Sequence, residues 1–229
     1  DVPLIVPEIN PQEAGNHKGI IANPNCTTIV TLMGLNPLHK KWKISNIIAS
    51  SYQAVSGSGA QGIEELRSQI TAIANGNEIE KNVYPCQIAH NVIPQVDAFL
   101  ENGYTKEEMK MENEGRKILE TPDLKASVTC VRVPVYRSHS VAVTVQFESD
   151  PDVEEARALI DQAEGVNVMD DPDSGTFPTP LDTTNKDACL VGRIRKDIVL
   201  DNALSLWVVG DQVRKGAALN AVQIAELLN

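Results

Sequence analysis

ASVTCVRVPV (Ala126–Val135), YRSH (Tyr136–His139) and SVAVTVQF (Ser140–Phe147) form the stretch whose reading decides the fold. Both flanks alternate apolar and polar residues, the period of a strand that buries one face. The polar Tyr136-Arg137-Ser138-His139 between them predicts a turn, and hence an antiparallel pair. His139 then lies at a strand end, where loops expose functional groups.

Working outward, Cys189–Ile194 and Leu204–Val209 are further strands, as is the run from Ile44 to Val55. A short strand at Lys18–Asn23 is broken by Pro24-Asn25 before an apolar-periodic helix from Cys26 through Leu35, with Pro37 just past its predicted stop. Ser56-Gly57-Ser58-Gly59 opens a second helix, marked by Ile63, Leu66, Ile70 and Ile73 and ended by Asn75-Gly76. Residues 77–104 are irregular. Thr105 with Glu108 is a capping box that starts a helix to about Glu120. A helix at Asp152–Ala163, a Pro/Asp/Thr-rich loop over 170–187 and a final helix from about Asp211 to Leu228 complete the pass. Strands follow strands more often than they alternate with helices, so the predicted class is α+β, a mixed and largely antiparallel sheet with helices packed on it.

Composition narrows the function. The 229 residues are 42% hydrophobic and 22% charged, with no apolar run approaching a membrane span. A net charge of −11 repels nucleic-acid phosphates, so no nucleic-acid partner is expected. Cys26, Cys86, Cys130 and Cys189 lack the spacing of a disulfide framework or zinc site, which predicts free thiols, a reducing compartment and no metal. The chain opens Asp1-Val2-Pro3-Leu4 inside an extended segment, so Asp1 is read as an internal start. Gly57-x-Gly59-x-x-Gly62 lacks the acidic partner of a dinucleotide fingerprint, and no complete dinucleotide domain is expected.

Asn25-Cys26-Thr27-Thr28 puts a thiol in the first turn of a helix, where free N–H groups and the dipole favour a thiolate and can hold an oxyanion. Taken alone, the pattern equally fits a small apolar residue opening a helix. His139 offers an imidazole that titrates in the range acid–base chemistry needs, or simply a solvated strand end. Arg132, embedded in an apolar strand, calls for an anionic partner: a substrate carboxylate or an internal carboxylate. Glu114 and Lys117 share a helix face and present either a surface ion pair or a grip for a zwitterionic or phosphorylated ligand.

These residues, with Asn23-Pro24-Asn25-Cys26-Thr27-Thr28, Tyr52-Gln53-Ala54-Val55-Ser56-Gly57, Arg132-Val133-Pro134-Val135 plus His139, and Gly210-Asp211-Gln212 followed by Lys215-Gly216-Ala217-Ala218, resemble the aspartate-β-semialdehyde dehydrogenase family along the whole chain. The resemblance implies a glyceraldehyde-3-phosphate-dehydrogenase-like C-terminal domain. It also implies NADPH-dependent reductive dephosphorylation of L-aspartyl phosphate, a reversible step toward lysine, threonine and methionine in the cytoplasm. Cys26 would carry the acyl group as a thioester, which preserves its activation. His139 would be the acid–base group and Gln53 would orient the intermediate. Arg132 would bind the α-carboxylate, Glu114 the amino group and Lys117 the phosphate, with Asn25 in the substrate site. Ser56, Gly57 and Gln212 would lie near the NADP nicotinamide.

The same resemblance divides the chain into a lead-in over 1–25, a catalytic and homodimerising domain over 26–210, and a segment over 211–229 that returns to a nucleotide-binding domain outside this sequence. Without that domain the last helix would expose an apolar stripe, and the chain alone would bind little nucleotide and turn nothing over. Related acylating dehydrogenases such as N-acetylglutamyl-phosphate reductase, a silent dimerisation fragment and a Cys26–His139 hydrolase are the competing readings.

Overall fold

A computed structural model describes residues 2–228. Six strands, β1 (Ile44–Gln53), β2 (Lys125–Arg132), β3 (His139–Phe147), β4 (Val166–Val168), β5 (Cys189–Lys196) and β6 (Ala203–Gly210), form one sheet in the order β2-β1-β3-β6-β5-β4. The contacts β1–β3, β3–β6 and β6–β5 are antiparallel, and β1–β2 and β4–β5 are parallel, as the predicted mixed α+β class requires.

The expected pairing of Ala126–Val135 with Ser140–Phe147 is corrected: β2 and β3 run in opposite directions, but β1 lies between them. The linking segment is not a hairpin turn, because it crosses the end of β1 and bonds to it. Val133 N donates to Gln53 O at 3.0 Å, Val55 N to Val135 O at 2.9 Å and Ser56 N to Tyr136 O at 3.2 Å. Ser138, at φ 73°, then swings the chain into β3.

Helices α1 (Cys26–Trp42), α3 (Lys106–Ile118) and α4 (Val153–Asp161) flank the sheet, and Ile29, Leu32 and Leu35 of α1 share one core with Val141, Val143, Leu206 and Val208. Pro37 does not end α1, as expected from sequence, but sits inside it. Interior proline costs roughly 3 kcal/mol, yet Thr27 through His39 are all buried, and packing on every side outweighs the lost backbone bond. Helix α2 (Gly59–Ala74) and the irregular segment after it carry a small second core of Val55, Leu66, Ile88, Ala89 and Ile93. The Thr105/Glu108 capping box forms both of its bonds.

The ends of the chain depart most from expectation. Lys18–Asn23 contributes one isolated bridge, Ala22 to Leu4, rather than a strand. The final helix begins as a π-turn at Arg214–Ala218 before the α-helix Leu219–Glu226; a four-residue α5 (Pro180–Thr183) interrupts the 170–187 loop. That last helix, α6, is not left without a partner surface: Ile224 packs with Ile5, Ala14 and Ile21, and Asn220 Nδ2 donates to Ile5 O at 3.0 Å and Asn23 Oδ1 at 2.7 Å. Val222 of this helix, and Leu227 and Leu228 just after it, stay exposed. Among the described residues no helix is long and apolar enough to cross a membrane.

Candidate active site

Cys26 is the first residue of α1, and Asn25 caps the helix, its Oδ1 accepting from Thr27 N at 3.0 Å and Thr28 N at 3.2 Å. Those two amides are therefore committed to the cap and are not free for an oxyanion, contrary to expectation. Nor is the thiol acidic. Burial first, and then the Glu107 carboxylate, push its pKa up to about 11 against the opposing pull of Thr27 and Arg132. The helix end alone does not outweigh desolvation here.

The register of β1 on β2 sets the wall behind Cys26. Gln53 pairs with Arg132 and Ser51 with Cys130, so all four side chains face the helix layer. Gln53 is buried, and its Nε2 donates to Thr27 Oγ1 at 2.7 Å and Glu107 Oε1 at 3.2 Å. Arg132 is buried too; its Nη1 donates to Ala54 O at 2.7 Å. Burial lowers its pKa from an ordinary value so high that the guanidinium keeps its charge. His139 is wholly buried at the start of β3, with Nδ1 accepting from Ala54 N at 3.1 Å and Nε2 left without a partner. Burial, reinforced by Arg132, holds its pKa well below 6.5.

Gly57 closes this group from the Ser56–Gly57 turn. A Cβ there would stand 2.9 Å from Arg132 Nη1 and 3.3 Å from His139 Nε2, so only a glycine lets the turn pack this closely on those two groups. On the other side Gly216, in the π-turn, lies against the thiol residue, its hypothetical Cβ 3.0 Å from Cys26 Cβ. Gln212 joins the two walls: its Oε1 accepts from Ser138 N at 2.9 Å, and its Nε2 donates to Ser56 Oγ. Asp211, beside it, receives Arg137 Nε and Asn185 N, each at 2.7 Å.

Two Glu-x-x-Lys pairs on α3 bear on the site. Glu114 is near the site, its Oε2 accepting from Asn25 N at 2.9 Å. Burial raises its pKa. Lys117 is exposed and donates to Val2 O. Glu107 reaches the site as well: its Oε1 takes Asn25 Nδ2 at 3.0 Å, and it is bridged to Lys110 at 3.0 Å. They repeat the Glu-x-x-Lys spacing seven residues earlier, and the capping box that places Glu107 in the first helical turn was the signal that distinguishes the two pairs.

Residues 35–215 match the family model described as semialdehyde dehydrogenase, dimerisation domain. The chain is 49% identical over its whole length to the aspartate-semialdehyde dehydrogenase of Aquifex aeolicus, covering 68% of that protein. Among solved structures it superposes with TM-score 0.96 on aspartate semialdehyde dehydrogenase II of Vibrio cholerae complexed with ASA, at 46% identity over 99% of this chain and 68% of that one. The Candida albicans enzyme solved with NADP aligns at TM-score 0.72 and 27% identity over 100% of this chain and 66% of that one. A six-stranded mixed sheet that superposes so closely, a family match over most of the chain and high identity to named relatives agree: the chain belongs to the aspartate-semialdehyde dehydrogenase family.

Proposed function

We propose that this chain is the catalytic and dimerising part of an enzyme that interconverts L-aspartate 4-semialdehyde, phosphate and NADP+ with L-4-aspartyl phosphate and NADPH, in lysine, threonine and methionine biosynthesis in the cytoplasm. The observation that carries the reading is the grouping of Cys26 at the head of α1, Gln53 bonded to Thr27 and Glu107 behind it, and Arg132 and His139 side by side against Gly57. A sulfur nucleophile, a buried guanidinium able to grip a carboxylate and an unpartnered imidazole nitrogen are the groups an acyl-thioester route needs.

In this reading Cys26 Sγ bonds to the carbonyl carbon of the semialdehyde, and Arg132 orients the substrate through its α-carboxylate. Glu107 is proposed in place of Glu114 as the carboxylate for the amino group, and Lys110 in place of Lys117 as the cation for phosphate; the support is that Glu107 bonds to Asn25 and Gln53 and Lys110 pairs with it. Asn25 holds both the helix start and Glu107. Bound NADP would supply hydride acceptance. Ser56, Gly57 and Gln212, the first and last joined by a Gln212 Nε2 to Ser56 Oγ hydrogen bond, are the residues proposed to lie beside its nicotinamide.

The sheet face opposite the helices exposes Ile48 and Tyr52, and Tyr52 packs against Trp207 with ring centroids 5.4 Å apart and planes tilted by 51°. A cavity of about 350 Å³ lined by Phe177, Pro178, Leu206 and Trp207 adjoins it. A second copy of the chain is the proposed occupant, which accords with the dimerisation domain of the matching family. The division into lead-in 1–25, domain 26–210 and returning segment 211–229 belongs to the same proposal.

The full-length protein is expected to oxidise aspartate semialdehyde only when phosphate and NADP are both present, and Cys26→Ala to lose the trapped acyl-enzyme. Undiminished turnover in Cys26→Ala would refute the mechanism.

A further inference from the structure

We propose that Glu65 and Gln69 of α2 are positioning residues for Arg132: they fold residues 80–93 into a brace that pairs with the Arg132 backbone, and so set where the guanidinium meets the substrate carboxylate. The inference rests on the reading above, in which Arg132 binds that carboxylate.

Residues 80–93 have no helix or strand of their own to satisfy their backbone groups. Two side chains of α2 do so instead. Glu65 and Gln69 stand one helical turn apart, and both are buried although residues of their types seldom are. The Glu65 carboxylate accepts from Asn82 N at 2.8 Å, from Val83 N and from Tyr84 N at 3.4 Å. Gln69 Oε1 accepts from Ile88 N at 3.0 Å and Ala89 N at 3.1 Å, while its Nε2 donates to Glu80 O at 2.8 Å and Glu65 Oε1 at 3.3 Å. Every donor faces an acceptor, so one regular helix serves as the template for an irregular segment.

The far end of that segment reaches the site. Ile93 N donates to Arg132 O at 2.9 Å and Arg132 N to Ile93 O at 2.8 Å, a closed antiparallel bridge. β2 is an edge strand, so without Ile93 the outer side of Arg132 would have no neighbouring backbone. With it, Arg132 is held between Gln53 of β1 and Ile93. Tyr84 adds a second tie. It packs with Val55, Leu66 and Ile88, and its hydroxyl donates to Val55 O at 3.3 Å, next to the Ala54 carbonyl that receives Arg132 Nη1. A Cβ at Gly62 would stand 2.6 Å from that hydroxyl and 2.5 Å from Val55 O, so glycine is what lets α2 sit this close. Cys26 and Lys110 stand on α1 and α3 instead. Loosening the brace therefore weakens the hold on the carboxylate and spares the thiol and the cation proposed for phosphate.

Two measurements on the full-length protein test this. Glu65→Gln turns an NH2 group toward backbone N–H donors. It is expected to raise the KM for aspartate semialdehyde on the order of tenfold, with kcat and the KM for phosphate within about twofold, the pattern of lost ground-state binding. A rise shared equally by both substrates, or a loss confined to kcat, would overturn the proposal. Hydrogen exchange followed by mass spectrometry is expected to quicken in peptides carrying residues 82–93 and Arg132, and to stay unchanged in β3 and β6; unchanged exchange at Arg132 would also overturn it. If Glu65→Gln does not fold, Gln69→Met, which removes the Gln69 bonds alone, undergoes both measurements with the same expected and overturning results. Absence of semialdehyde turnover in the unsubstituted protein would refute the functional reading and with it the carboxylate role, while the exchange result still decides the brace.

Discussion

Glu8 and Lys215 meet inside the protein although 207 residues separate them. The Lys215 ammonium is buried and also donates to Asn220 Oδ1 at 3.0 Å and Gln223 Oε1 at 2.8 Å, while Gln223 Nε2 returns to Glu8 Oε1 at 2.9 Å. This network fastens the final helix to the lead-in and holds the π-turn whose Gly216 lies on Cys26. Breaking one side of a buried pair strands the other charge, so Lys215→Met is expected to cost about 3–5 kcal/mol. The Glu8→Gln, Lys215→Met double variant is expected to lose less than the sum of its singles. Urea denaturation of the four proteins checks this.

Glu107 raises the Cys26 pKa through its charge. Alkylation of Cys26 is thus expected to be slow at neutral pH and to rise with pH toward about 11. Glu107→Gln removes one of the causes, and its alkylation at pH about 8, below the free-thiol range, is expected to be faster than in the unsubstituted chain.

Lys110 and Lys117 provide a direct comparison between the two Glu-x-x-Lys pairs. Lys110→Met is expected to raise the KM for phosphate on the order of tenfold or more. Lys117→Met is expected to leave it within about twofold, as for an exposed group. Steady-state kinetics of the full-length variants decides, and the reverse pattern would restore Lys117 to the phosphate site.

Gly57→Ala would place a methyl 2.9 Å from Arg132 Nη1 and 3.2 Å from His139 Cε1. A loss of about 100-fold in kcat/KM is expected from displacing those two groups, with the thermal midpoint lowered by the overpacking. Differential scanning fluorimetry beside the kinetics separates the two effects.

His39 accepts from Ile44 N through Nδ1 at 3.1 Å, tying the end of α1 to β1. Burial, then Lys43, lowers its pKa below 6.5, against Leu119 and Glu148. The unfolded chain therefore takes up the proton first, so this contribution is complete above about pH 6.5 and is lost as pH falls below it. The urea midpoint is expected to drop between pH about 7.5 and 5.5, and to drop less in His39→Gln.

Local patterns carried much of the fold because their causes are local. The Thr105/Glu108 cap, the alternation of β3 and the Gly-rich start of α2 act within a few residues, and each element stands where its pattern put it. Pro37 was misread for the complementary reason: a helix stop is a local preference, and the burial that overrides it comes from the sheet beneath.

By itself the sequence determined the α+β class, the thiol at a helix start and the order of motifs that marks the family. Only the tertiary structure decided that β1 enters between β2 and β3, which aligns Gln53 with Arg132. It also decided that Glu107 bonds to Asn25 and Gln53, and that burial raises the Cys26 pKa. Strand order and desolvation depend on contacts between residues far apart in the chain, and no local period encodes them.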